Sequence, residues 1–150
     1  MGKSDCDRGC PALTTLDLSA LMNNTGGTIY PNGCTALTTL DLSALVIAGS
    51  VSTIDLYTGN TTLANVTIGT IGTLKVFDID LTLRGLALTL TSIDALLATF
   101  ATLDGTNGTT IFVHTIDISG GTSAIPDTAG LASIATILAN GGMVVYNTGA

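Results

Sequence analysis

Charge is what this 150-residue sequence has least of: charged residues make up 10% of it. The cations are Lys3, Arg8, Lys75 and Arg84, set against eleven acidic residues, for a net charge of −7. Four scattered cations cannot neutralise a run of phosphates, so nucleic acid is not an expected partner. Without a basic patch or a basic amphipathic helix, attachment to an anionic membrane is not expected either. Histidine occurs once, at His114. No serine or cysteine stands in a nucleophile motif beside it, which argues against an enzyme and for a strand histidine at an exposed position. The glycine pairs Gly26-Gly27, Gly120-Gly121 and Gly141-Gly142 lack the lysine or the spacing of a phosphate loop and read as turns. The N-terminus has no apolar run of the kind a secretory signal needs.

A surface so poor in charge has to be made of Thr, Ser, Asn and Gly, unlike an ordinary cytosolic surface. Hydrophobic residues are 46% of the chain, and 150 residues suffice for one domain with a real core. Together these features suit an extracellular or virion component. The most apolar stretch, residues 86–103, approaches membrane-spanning length. Its pattern divides, however: Leu86, Leu88 and Leu90 alternate as in a strand, whereas Ile93, Leu96, Leu97, Phe100 and Leu103 recur at helical spacing with Asp94 on the other side. A strand followed by an amphipathic helix is expected, and no membrane insertion.

The dominant feature is a duplication. Gly9-Cys-Pro-Ala-Leu-Thr-Thr-Leu-Asp-Leu-Ser-Ala-Leu21 returns at residues 33–45, 24 residues on, with Thr35 in place of Pro11 as the one difference. That period fits one coil of a repeat solenoid. The spacing Leu13-x-x-Leu16-x-Leu18 recurs as Leu37, Leu40, Leu42; as Leu63, Val66, Ile68; as Leu83, Leu86, Leu88; and as Val113, Ile116, Ile118, with a degenerate copy at Met143 and Val145. In this spacing the chain resembles the leucine-rich repeat family. The resemblance implies short parallel strands on the concave side of a β-rich solenoid, with leucines inward. The family's asparagine or cysteine after the motif is replaced here by Leu21, Leu45, Ile71, Thr91 and Gly121, so the convex side is expected to carry extra strands.

Residues 50–57 and 74–81 alternate as strands do, and helical patterns open at about residue 91 and at Asp127, the second stopped by Asn140-Gly141-Gly142. Residues 104–109 and 119–127 read as turn-rich loops. The C-terminal third is similar to the closing module of leucine-rich repeat proteins from tailed bacteriophages and bacterial surface adhesins, which implies a helix-backed end from about residue 91. Residues 1–12 then form an N-terminal cap and residues 13–150 a single solenoid. Either end is a candidate self-association surface, since uncovered strand edges associate.

The candidate ligand residues lie between the inward leucines: Thr15, Asp17, Ser19; Thr39, Asp41, Ser43; and Thr115, Asp117, Ser119, with Asn65, Thr67, Gly69 and Gly85, Ala87, Thr89 in the intervening copies. As columns on one concave face they offer hydroxyls and carboxylates to a cell-surface glycan or a protein, or serve as ordinary solvated strand surface. Asp17 beside Asp41 is a like-charge pair that a cation or solvent would have to screen. Paired threonines at 14-15 and 38-39 suit an ice-binding row, but the row breaks at Asn65 and Gly85. Cys6, Cys10 and Cys34 are an odd set. Cys10 and Cys34 occupy equivalent positions and are placed either as a disulfide or as a column of buried thiols. They lack the companions of a zinc site, and no metal or other cofactor is expected. Sequons stand at Asn23, Asn60, Asn65 and Asn107. The expected role is a non-enzymatic structural or attachment protein, extracellular or on a virion, self-assembling into a fibre or filament; the alternative is a monomeric adhesin using the concave face.

Overall fold

The computed structural model describes residues 10–31, 33–49, 53, 54, 56 and 61–149. Eleven short strands and two helices follow one another as β1 (Thr15–Asp17), β2 (Asn23–Asn24), β3 (Thr28–Ile29), β4 (Thr39–Leu42), β5 (Ile47–Ala48), β6 (Thr53–Ile54), β7 (Asn65–Ile68), β8 (Val76–Phe77), β9 (Leu81–Thr82), α1 (Leu90–Ala101), β10 (Thr115–Asp117), α2 (Thr128–Ala139) and β11 (Met143–Val145). Among the described residues every strand pair is parallel. The first sheet runs β1-β4-β7, the second β2-β5-β8, the third β3-β6 and the fourth β9-β10-β11. The chain therefore visits several sheets in turn and then returns to lay the next strand beside the last.

The register of β1 on β4 is Thr15↔Thr39, Leu16↔Leu40 and Asp17↔Asp41, which is the 24-residue offset of the duplicated block. In β4 and β7, Leu40, Leu42, Val66 and Ile68 point inward while Thr39, Asn65 and Thr67 point outward. This alternation is what a strand imposes. Burial nevertheless separates the twin blocks. Leu37, Leu40, Leu42 and Leu45 are 0% exposed, whereas Leu13, Leu16, Leu18 and Leu21 are only partly buried. Identical leucines differ because the second block has neighbours on both sides and the first has a described neighbour on one.

After β7 the first side of the stack changes from strand to helix. Thr89 caps α1 by accepting the Ser92 N–H at 3.3 Å, and Ile93, Leu96, Leu97 and Phe100 face the core at the spacing of one helical stripe. Phe77 of β8, Phe100 of α1 and Phe112 close into one aromatic cluster, with ring centroids 4.7 Å apart for the first two and 5.0 Å for the last two. Such edge-on pairs tie the helix to the second sheet. A helix cannot complete a β-ladder, so β7 would be left with unpaired backbone groups. Ser92 supplies the replacement: its Oγ accepts the Val66 N–H at 2.9 Å and donates to the Val66 carbonyl at 3.1 Å. Ser123 repeats the device, accepting the Leu88 N–H and donating to the Leu86 carbonyl.

The C-terminal segment is clipped on by Asn147, which accepts the Gly120 N–H at 2.7 Å and donates to the Ser123 carbonyl at 2.8 Å. Asp127 caps α2 by accepting the N–H groups of Ala129 and Gly130. Gly130 lets α2 approach α1, because a Cβ there would collide with the Asp94 carboxylate.

Several sequence expectations are corrected. Residues 74–81 form two short strands on different sheets, since β8 joins β5 while β9 joins β10. Residues 86–88 belong to no strand, and α1 starts at Leu90. Asp94, assigned to the polar side of the helix, faces α2: its Oδ1 is buried with no hydrogen-bond partner among the described residues. Most of the cap, residues 1–9, and most of the stretch 50–57 lie outside the described residues. No helix among the described residues is long and apolar enough to cross a membrane.

Replacing Ser92 by Ala leaves two buried backbone groups unpaired and is expected to lower stability by about 1–3 kcal/mol in urea unfolding. Asp94 carries a second prediction. Burial, and secondarily the charge of Asp127, raise its pKa above the usual 3.8. A carboxyl with a raised folded pKa stabilises the fold fully below its unfolded pKa and loses that contribution as pH rises through the folded value. The melting-temperature gain of Asp94→Ala over the wild type should therefore be larger at neutral pH than near pH 3, as followed by thermal unfolding.

Candidate ligand face and open ends

The first two candidate triplets come together. Thr15 lies beside Thr39 and Asp17 beside Asp41 in the first sheet, with Asn65 and Thr67 continuing the rows on β7. The third triplet does not join them. Thr115 and Asp117 belong to β10 in the fourth sheet, paired with Met143 and Val145 of β11, and Ser119 follows them. Gly85 and Ala87 are in no strand, and Thr89 caps α1. The expected columns across one face are thus split, because α1 takes the place on the first side where a further strand would lie.

The aspartates also have a local task. Asp17 Oδ1 accepts the Ser19 N–H at 2.9 Å, Asp41 Oδ1 accepts the Ser43 N–H at 2.8 Å, and Asp117 Oδ1 accepts the Ser119 N–H at 3.0 Å and the Ser119 hydroxyl at 2.6 Å. Each Asp-x-Ser is a side-chain turn that ends its strand and satisfies a corner N–H. The spacing is visible in the sequence, and this turn chemistry is the signal that would have found it. Hydrogen bonds from the Ser19 side chain and backbone hold the exposed Asp17 carboxyl below its usual pKa. They favour the charged form even beside Asp41, which is half-buried.

Cys10 is exposed and Cys34 buried, and no disulfide joins them. The equivalence of their positions does not extend to their surroundings, since Cys34 belongs to the core and Cys10, the first described residue, is exposed. Cys6 lies outside the described residues. His114 is half-buried, with Nε2 at 2.7 Å from Asp78 Oδ1 and Nδ1 at 3.8 Å from Asp80 Oδ1. Asp80 in turn accepts the Thr115 N–H at 2.7 Å. This group pins the start of β10 onto the segment between β8 and β9, a contact across some 35 residues that sequence spacing does not reveal. Among the described residues no group of three or more His, Cys or Asp side chains is arranged to hold a metal ion.

The two ends of the stack are apolar. At the start, Leu13, Leu16, Leu18 and Leu21 are incompletely covered. At the finish, α2 has no charged residue and carries Leu131, Ala135 and Leu138 outward at i, i+4 and i+7; Leu131 is 44% and Leu138 51% exposed. Met143 and Val145 of β11, with the adjacent Val113, extend the exposed apolar surface. Clustered exposure of this kind marks an interaction surface, whereas single exposed leucines do not.

The Asp17 carboxyl is expected to titrate below 3.8 in a 13C-detected titration, and Ser19→Ala should move its midpoint back up. Since a depressed pKa adds stability only above the unfolded value, the difference in melting temperature between wild type and Ser19→Ala should fade as pH falls through the Asp17 midpoint.

Comparison with known proteins returns nothing similar: no family model matches the chain, and neither a curated protein nor a solved structure does.

Proposed function

We propose that the chain is a non-enzymatic structural module, a short leucine-rich-repeat-like solenoid that associates end to end with further copies in an extracellular or virion fibre. The observation that carries this reading is the contrast between the twin blocks: the same four leucines are sealed in the second and partly open in the first. A stack of parallel coils leaves its terminal coils with core residues and strand edges uncovered. The far end supplies the complementary chemistry, an uncharged helix face and a strand of Met and Val. A second copy is the natural occupant, because its opposite end presents the same apolar character and adds no charge. The resemblance of the C-terminal third to phage and adhesin closing modules points the same way. His114 is taken up by Asp78 and Asp80 as an inter-coil tie, which fits a structural role.

Light scattering and electron microscopy of fresh protein test the reading. Filaments or a fixed oligomer are expected from the wild type, and Leu131→Glu with Leu138→Glu should yield monomers whose melting temperature is unchanged, because both side chains are exposed. A wild type that stays monomeric at high concentration would overturn end-to-end assembly and favour the adhesin alternative on the Thr15, Asp17, Thr39 and Asp41 face.

A further inference from the structure

Asn-Gly occurs three times in the chain, at Asn32, Asn107 and Asn140. A glycine after asparagine matters chemically, because its peptide nitrogen reaches the carbonyl carbon of the asparagine side chain with no side chain of its own in the way. Asn32 lies outside the described residues. Asn140 is half-buried at the end of α2, where the Gly141 N–H is committed to the Leu138 carbonyl at 3.1 Å. Asn107 and Gly108 are both exposed, at the tip of the loop between α1 and Phe112. That tip is a tight turn: Asn107 and Gly108 have φ of 50° and 76°, and the Thr109 N–H donates to the Thr106 carbonyl at 2.8 Å. Positive φ at both central residues is the pattern of a type I′ turn, which Asn-Gly suits. Asn107 is the one described non-glycine residue with a positive φ.

The loop is held at its base and open at its tip. Asp104 and Ile111 form an antiparallel bridge, and the Phe112 N–H donates to the Leu103 carbonyl at 3.0 Å. Asp104 Oδ1 accepts the Thr106 N–H at 2.9 Å and the Thr106 hydroxyl at 2.7 Å, so the acidic group of the loop is already engaged. The Thr110 N–H donates to the Lys75 carbonyl at 2.9 Å, which brings Lys75 alongside. From there Lys75 Nζ donates to the Asn107 carbonyl at 3.4 Å, and Asn107 Nδ2 donates to Thr106 Oγ1 at 3.3 Å. A Cβ built on Gly108 would meet nothing within 4 Å, so its peptide group has room to turn. The Asn107 carbonyl and the Gly108 N–H belong to one peptide group. A cation on that carbonyl favours the negative charge the group takes when the N–H loses its proton.

We propose that Asn107 is a self-modifying site, converted through a cyclic imide to isoaspartate and aspartate, with the Lys75 ammonium promoting the ring closure. Solvent base removes the proton of the Gly108 N–H. The nitrogen bonds to Asn107 Cγ, the bond from Cγ to Nδ2 breaks, and Nδ2 leaves as ammonia with a proton from water. The turn has to open at the Thr109 N–H for the succinimide ring to close, and an exposed loop tip opens at small cost. Water then opens the ring. Addition at Cγ gives aspartate, and addition at the main-chain carbonyl carbon gives isoaspartate. The sum consumes one side-chain amide and one water, yields one carboxyl group and one ammonia, and involves no oxidation. Isoaspartate lengthens the main chain by one carbon at the position whose positive φ makes the turn. Either product adds a negative charge to a loop that Lys75 already holds. The conversion does not depend on end-to-end assembly.

The test is peptide mapping by mass spectrometry of the full-length protein, incubated at mildly alkaline pH with and without urea, with isoaspartate and aspartate separated by chromatography. In the folded protein, loss of the amide at Asn107 is expected to outpace that at Asn140 by about tenfold or more, with isoaspartate among the products. Lys75→Met should slow the reaction at Asn107 about threefold, because a neighbouring cation lowers an ionisation by about half a unit or more, and Lys75→Arg should keep the wild-type rate. In urea Lys75 and Asn107, 32 residues apart, no longer meet, so wild type and Lys75→Met should react equally fast. Equal rates at Asn107 and Asn140 in the folded protein, aspartate without isoaspartate, or a Lys75→Met rate that is unchanged or faster would each overturn the proposal.

Discussion

The parallel backbone ladder is the constraint on which the rest depends. Strands paired in parallel and in register stack equivalent residues directly on one another, so one inward leucine implies a column of them. Leu16, Leu40 and Val66 form such a column, and Asp17, Asp41 and Thr67 another. The same ladder requires every edge group to be met. Where α1 takes a strand's place beside β7, the Ser92 hydroxyl meets that requirement with one atom, and the Ser123 hydroxyl bridges the Leu86 carbonyl and the Leu88 N–H in the same way.

Low charge has consequences at both levels of organisation. With so few ionic groups, the corners of the stack are built from local hydrogen bonds, through Asp-x-Ser turns and the Asn147 clip. Neighbouring strands are tied by backbone ladders, and more distant segments by single polar contacts such as His114 with Asp78. The same scarcity leaves α2 without a charged residue, so nothing on that helix opposes the approach of another apolar surface. Natural edge strands are commonly protected by charge, and the absence of that protection on β11 is what makes end-to-end association the reading we prefer.

The residues chosen as a ligand face illustrate how far sequence spacing reaches. Thr15, Thr39, Asp17 and Asp41 lie together because the duplication that suggested their alignment is also the register of β1 on β4. Thr115, Asp117 and Ser119 share the spacing and lie on another sheet, since the pattern does not reveal which side of the stack a copy occupies. Asp94 was placed by helical periodicity on a polar face, but periodicity sees only its own helix and α2 arrives from 34 residues later.

The sequence by itself determined the 24-residue offset, the inward leucines, the helical stripe of α1 and the capping residue of α2, because these depend on local stereochemistry and on a duplication that pairs with itself. Only the tertiary structure decided that β8 and β9 part to different sheets, that the twin leucines differ in burial and that Asp94 lies between helices. Each of those depends on which segment arrives next to a given residue.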